Sequence, residues 1–245
     1  MIVLNSVSKT ISRGRFKRTL LEDVSWAIEA RTQVVILGDR HSGAPALLNI
    51  IGGLMLPSSG WVERRSTTSI PGGLLRYVRH DTTHQLVARL SRLYRVDQKE
   101  ITDFVAQGVG RRDILNVPPR SLPAQVRQQV AILLNYAFPV DFYLFESTSI
   151  GVNTDRRFQL FCERAFELRS SHAGIIMLAS TGKVARRVSS DMMGALVYRG
   201  SVTLYKRLAD AIMVFESLPP ERPSAEHPTS GSEILVQNDD DILAF

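Results

Sequence analysis

Apolar positions along this chain switch between a period of two and a period near 3.6, and the switches predict an order of elements. Val24, Trp26 and Ile28 point one way while Ser25 and Ala27 point the other, as in a half-buried strand. Ile2 and Leu4 predict another strand, and the basic run 13–18 between the two reads as an exposed loop. Residues 34–37 are a short apolar strand, and a helix is predicted over about 46–54, closed by the turn Pro57-Ser-Ser-Gly60. Across 83–116 the pattern is helical: Leu86, Val87, Leu90, Leu93 and Tyr94 recur at helix spacing, then Ile101, Phe104 and Val105. Pro118-Pro119 breaks it, and a second helix is predicted over about 123–137.

Beyond that point strands and helices alternate. A buried strand is predicted over 142–145, a helix over about 154–169, a strand over 174–179 and a short helix over 182–190. Residues 195–198 and 202–205 are predicted to pair around Arg199-Gly200. Such alternation indicates an α/β fold with a mostly parallel sheet covered by helices. The segment 219–245 is rich in Pro, Ser, Glu and Asp and poor in aromatics, a composition expected to stay disordered. No internal repeat is evident.

At 245 residues and 44% hydrophobic, the chain can bury a full core as one α/β domain. Its single cysteine, Cys162, excludes an intrachain disulfide and fits a reducing compartment. No basic segment followed by an apolar one opens the chain, so secretion is not expected. No run approaches the roughly 18 uninterrupted apolar residues of a spanning helix. The net charge of +6 hides an asymmetry: from Glu216 onward there are seven acids and one base, which leaves 29 basic against 17 acidic residues before it, a net of +12. A body this basic fits an anionic neighbour, headgroups or an acidic partner, or simply a well-solvated surface. No zinc-finger spacing, helix-turn-helix cue or aromatic RNA-binding motif supports nucleic acid.

The candidate chemistry lies just after the 34–37 strand. Gly38, Asp39, Arg40, His41, Ser42, Gly43, Ala44, Pro45 and Ala46 have the strand–loop–helix setting and the glycine spacing of the phosphate-binding G-x-x-x-x-G-K-[ST] loop. Its lysine and hydroxyl positions are Ala44 and Pro45. Proline also has no backbone N–H to offer an anion at the helix start. The other reactive residue types are scattered. His41, His80, His84, His172 and His227 give no third ligand beside the His80/His84 pair, so no metal site is predicted. Cys162, beside Phe161, reads as a small core residue; Ser147, Ser149 and Ser180 lack a nucleophile-elbow context. Trp26 and Trp61 read as core or strand residues.

Taken in order, these pieces resemble the nucleotide-binding subunit of ABC transporters, most of all the small ATPases of capsular-polysaccharide export. The resemblance covers about residues 1–215. Its carriers are the 34–43 loop, Leu-Leu-x-Ile-Ile-Gly-Gly (47–53), Pro-Ser-Ser-Gly (57–60), Leu-x5-Arg-Gln-Gln-Val-Ala-Ile (122–132), Asp-Phe-Tyr-Leu-Phe-Glu (141–146), residues 151–158 and Met-Leu-Ala-Ser (177–180). It implies a P-loop NTPase-like cassette over 1–218, with an antiparallel β subdomain and a helical lobe at about 80–138, and an acidic tail over 219–245.

The same register implies that each chemical position has changed. Lysine on the phosphates is Ala44, the Mg²⁺-holding hydroxyl is Pro45, and Asp39 adds a carboxylate that Arg40 would offset. The signature run at a helix start reads Leu122, Pro123, Ala124, Gln125, Val126, with proline for the serine that bonds the γ-phosphate across a dimer. Glu146 keeps a carboxylate on the metal side, the general-base glutamate is Ser147, and the switch histidine is Thr181. A neutral serine hydroxyl does not serve as that base at neutral pH. Asp155 fits the acidic turn that contacts the opposite subunit, and the lobe-linking glutamine has no counterpart near 71–73. Arg40 or Arg18 would have to substitute if phosphate still binds.

The resemblance therefore implies a pseudo-ATPase with a structural or regulatory role in polysaccharide export, needing neither ATP nor Mg²⁺. Its implied partners are integral membrane subunits and a homo- or heterodimeric ATPase-type partner, with no nucleic acid. Its implied place is cytoplasmic, on the inner face of the cell membrane. The alternatives are a weakly active ATPase with unconventional ligands, and a soluble scaffold or regulator built on the same fold.

Overall fold

The computed structural model describes residues 1–13, 16–39, 41–71, 80–146, 155–188 and 191–221. Two sheets organise the chain. The first is antiparallel, with β1 (Ile2–Arg13) between β2 (Phe16–Ile28) and β4 (Ser59–Arg64). Ile2 faces Ile28 and Leu4 faces Trp26, with irregular register between Leu4 and Thr10. Residues 13 and 16–18 belong to these strands rather than to a loop. Arg13 pairs with Phe16 and Ser12 with Lys17, so these residues extend the ladder of β1 and β2.

The second sheet has the order β5-β6-β3-β7-β8, from β3 (Gln33–Leu37), β5 (Phe142–Phe145), β6 (Gly174–Ala179), β7 (Met193–Tyr198) and β8 (Ser201–Tyr205). The first four strands are parallel and β8 returns antiparallel. Helices on one face and the antiparallel sheet on the other bury both sides, which is why these strands read as unbroken apolar runs. Val35, Leu37, Tyr143, Phe145 and Met177 enter the core beneath the helices. Val34, Ile36, Phe142, Leu144 and Ile176 enter the core shared with the first sheet and α1 (Ala44–Ile51).

Helix α1 begins two residues earlier than the pattern predicted, because proline is tolerated in a first turn whose amides have no intrahelical partner. Residues 83–116 are not one helical stretch. α2 (Thr83–Tyr94) opens on a capping box, Thr82 Oγ1 accepting from Gln85 N and Gln85 Oε1 from Thr82 N, and stops at Arg95 with φ 54°. Asp97 then caps α3 (Gln98–Val109) by accepting from Lys99 N at 2.9 Å, and a 3₁₀ turn, Asp113–Asn116, follows. α4 (Ala124–Ala137) and α5 (Arg156–Ser170) match the predicted helices closely, α6 (Gly182–Ala185) is shorter than 182–190, and α7 (Leu208–Ser217) is a helix that the pattern did not predict. Trp61 lies in β4 and is half exposed, while Trp26 is buried. Cys162 packs against the helical core, and burial pushes its thiol up to about 12, which leaves it without thiolate at neutral pH.

A side chain of β4 ties the first sheet to α1. Arg64, at the end of β4, donates Nε to the Ile51 carbonyl at 3.1 Å and Nη2 to the Ile50 carbonyl, closing the last turn of α1. The Ile50 carbonyl also accepts from Gly53 N at 3.1 Å, so the change costs chiefly the Arg64 bond to Ile51, and Arg64→Ala should lower stability by about 2 kcal/mol, as for a hydrogen bond from a charged donor. Urea denaturation checks it: the midpoint should fall with the slope unchanged.

Candidate functional site

Because β3, β5, β6 and β7 run parallel, the residues that follow them share one edge of the sheet: Gly38, Glu146, Ser180 with Thr181, and Arg199. In open α/β sheets ligands bind outside this carboxyl edge. The loop 38–43 is folded tightly there. A Cβ on Gly38 would strike Ser42 Oγ and Ala44 Cβ, and one on Gly43, at φ 83°, would strike the Leu20 carbonyl of β2. Glycine at both ends is thus a steric requirement of this turn.

The loop amides are turned to acceptors of the loop itself. Asp39 Oδ1 accepts from His41 N at 2.7 Å, the Asp39 carbonyl accepts from Ser42 N at 3.2 Å and from Ser42 Oγ at 3.0 Å, and Ser42 Oγ accepts from Ala44 N at 3.3 Å. Ser42 and Ala44 are buried. No side chain caps α1, and Pro45 in its first turn has no N–H. The arrangement therefore resembles an anion nest in which a resident carboxylate takes a donor that a phosphate oxygen would take. Among the described residues a cation reaches it: Arg18, from β2, donates Nη2 to the His41 carbonyl. Arg40 lies outside the described residues, as do Ser147, Ser149, residues 72–79, 151–154 and His227.

Thr181 is engaged structurally, its Oγ1 accepting from Val184 N at 3.3 Å as the N-cap of α6. Glu146 follows β5, two strands from β3 and so about 10 Å across the sheet from the loop. Leu122, Pro123, Ala124, Gln125 and Val126 stand at the start of α4, with Pro123 as an N-cap that offers no side-chain bond. Asn135, nearer the other end of that helix, donates to the Leu144 carbonyl of β5 at 2.9 Å. The 122–126 run is therefore roughly 15 Å along the helix from the sheet's edge, and the fold does not gather it with 38–46 in one site. Asp155 caps α5, accepting from Arg157 N and Phe158 N. His84 meets Gln98, and no cluster of three metal-ligating side chains forms among the described residues.

The structure adds residues that the pattern did not flag. The main-chain N–H of Glu221 donates to Asp39 Oδ2 at 2.9 Å, and its carboxylate accepts from Arg199 N at 2.6 Å. Glu216, the penultimate residue of α7, is paired with Arg186, which donates Nη2 to Oε2 at 2.6 Å and Nη1 to Oε1, and this holds the carboxyl below the usual range. A separate cleft beside the helical lobe is lined by Ser69, Ile70, Leu90, Tyr94, Asn135 and Phe138. No helix among the described residues is long and apolar enough to cross a membrane.

No family model matches the chain. It is 24% identical over 216 residues to the polysialic acid transport ATP-binding protein KpsT of Escherichia coli, covering 86% of this chain and 97% of that one. It is 25% identical over 221 residues to the capsule polysaccharide export ATP-binding protein CtrD of Neisseria meningitidis serogroup B, covering 89% and 100%. Among solved structures it superposes on the ATP-binding cassette MJ0796 bound to ADP and Pi with a TM-score of 0.70 at 18% identity, covering 85% and 99%. It also superposes on an ATP-binding subunit of an ABC transporter with a TM-score of 0.67 at 15% identity, covering 88% and 93%. The relatives are ABC ATP-binding subunits, capsule-polysaccharide export ATPases among them, and the α/β fold is that of the ABC cassette.

Proposed function

We propose that this chain, a relative of the ATP-binding subunits of ABC exporters with the cassette fold, serves a polysaccharide export assembly as a subunit that does not itself turn over ATP. The observation that carries the second half is the closed loop: Ala44 and Pro45 stand where an ammonium and a hydroxyl belong, and Asp39 occupies an amide that a phosphate would need. Ser147 in place of a general-base carboxylate, and Thr181 spent as a helix cap, point the same way. The export role is supported by the relatives, which align over nearly their whole length.

The cassette is read as residues 1–218, with its helical lobe at about 80–138, sitting on the cytoplasmic face of the membrane through integral subunits. The surface formed by Ile70, Leu90, Tyr94 and Phe138 is mostly apolar and offers a face on which a short helix of such a subunit would dock. The +12 charge of residues 1–215 favours a place beside anionic headgroups. A competent ATPase-type partner, or a second copy, would complete the dimer.

Co-expression with the membrane subunits of a capsule exporter tests this reading. The chain should co-purify with them and Tyr94→Asp, in the cleft, should release it, while the chain alone shows no ATP turnover. A chain that remains soluble beside its membrane subunits favours a scaffold instead; brisk turnover by the chain alone overturns the pseudo-ATPase reading. One observation favours the runner-up, a slow ATPase: the Arg18 guanidinium already touches the loop, and arginine grips phosphate well.

A further inference from the structure

We infer that residues 216–221 form a strap that closes the carboxyl edge of the parallel sheet to polyphosphate anions, latched to Asp39 by the main-chain N–H of Glu221. Three points hold it, each beside the end of a different parallel strand. After β3, Asp39 Oδ2 accepts from Glu221 N at 2.9 Å. After β7, Arg199 N donates to Glu221 Oε1 at 2.6 Å. After β6, Glu216 pairs with Arg186 and lies so close to Gly182 that a Cβ there would strike its carboxylate.

The local sequence makes this latch specific. Leu218 N is used within the end of α7, on the Phe215 carbonyl. Pro219 and Pro220 have no N–H, so Glu221 supplies the first main-chain donor left after the helix. Two prolines also favour a stiff extended rod, which carries the chain about 9 Å from Leu218 to Glu221 with little entropy left to lose. Asp39 thus stands between two donors, His41 N on the loop side and Glu221 N on the strap side, as the anion of the site.

Electrostatics add to the closure. Asp39 and Glu221 put two carboxylates along the edge that a triphosphate would have to approach, and each repels it, while Glu216 is neutralised by Arg186. The loop is therefore occupied from inside and covered from outside. This goes beyond the absence of turnover, because it names what keeps a ligand out.

Two full-length variants separate the latch from the charge. Glu221→Gln removes the carboxylate and keeps the N–H; Glu221→Pro removes both in a segment already extended. Binding of inorganic triphosphate, followed by titration calorimetry, should be about tenfold tighter for Glu221→Pro than for Glu221→Gln, the equivalent of one charge-assisted hydrogen bond. Cleavage after Glu221 by a glutamate-specific protease should likewise speed up about tenfold in Asp39→Ala, as an opening worth one such bond requires. Equal triphosphate affinities in the two variants, or a cleavage rate that Asp39→Ala leaves unchanged, overturns the strap. Equal affinities with no ATP turnover would sink the strap alone, whereas rapid ATP turnover by the unaltered chain would sink both the strap and the pseudo-ATPase on which it rests.

Discussion

MgATP is expected to bind the unaltered chain about 10⁴-fold more weakly than a loop of the same shape with lysine and serine at 44 and 45, a deficit near 6 kcal/mol. Three contacts are missing: an ammonium on the phosphates, a hydroxyl on the metal and the amide that Pro45 lacks. Each charged or charge-assisted contact contributes about 2 kcal/mol, so together they shift a micromolar constant beyond ten millimolar. Ala44→Lys with Pro45→Ser in one chain measures the reverse. The gain should be only partial, on the order of a hundredfold, because Asp39 still holds His41 N and repels the incoming phosphates. Adding Asp39→Ala should recover most of the remainder. Micromolar binding by the unaltered chain, or no gain from the triple change, would remove the physical basis for reading this loop as emptied of its chemistry.

The strands of the parallel sheet were the easiest elements to read, because burial on both faces leaves no polar residue to blur them. The runs 142–145 and 174–179 coincide with β5 and β6, and 34–37 misses β3 by the single residue Gln33. Helix caps carried more information than periodicity did. Across Arg95 the apolar spacing of α2 continues into α3 nearly in phase, so hydrophobicity alone joins them; the break is written in the left-handed Arg95 and the Asp97 cap. At 13–18 the density of charge suggests a loop, but residues 13 and 16–18 are held in the hairpin by ladder bonds that no side-chain pattern records.

The candidate site divides in the same way. Glycine spacing exposed the loop, since Gly38 and Gly43 are forced by Ser42, Ala44 and Leu20 pressing on them. The internal role of Asp39 was half visible, as a carboxylate out of place. The strap was not, because its latch is a backbone N–H and its composition is that of a tail. Pro219-Pro220 was its one trace, a stiff spacer directly after a helix end. The 122–126 run, similar in register to a ligand-binding segment, lies along α4 from the edge and has no part in closing this loop.

Gly43→Ala is expected to lower stability by about 3 kcal/mol, the sum of a left-handed alanine and a forced contact. At φ 83° a Cβ meets the Leu20 carbonyl, which is main chain of β2 and has no rotamer by which to yield. For a chain of this size that lowers the melting temperature by roughly 10 °C. Gly53→Ala is the matched comparison. Its φ is 76°, but the nearest atom to its Cβ is Arg64 Nε at 3.6 Å, an ordinary contact, so only the backbone term of about 1 kcal/mol remains. The difference between the two melting temperatures isolates the close approach of the loop to the antiparallel sheet. That approach fixes the loop's position whether or not a phosphate sits in it, so the loop's geometry does not depend on a bound ligand. If both variants melt together, the loop is free to retreat from β2, and glycine at 43 is explained by backbone conformation alone.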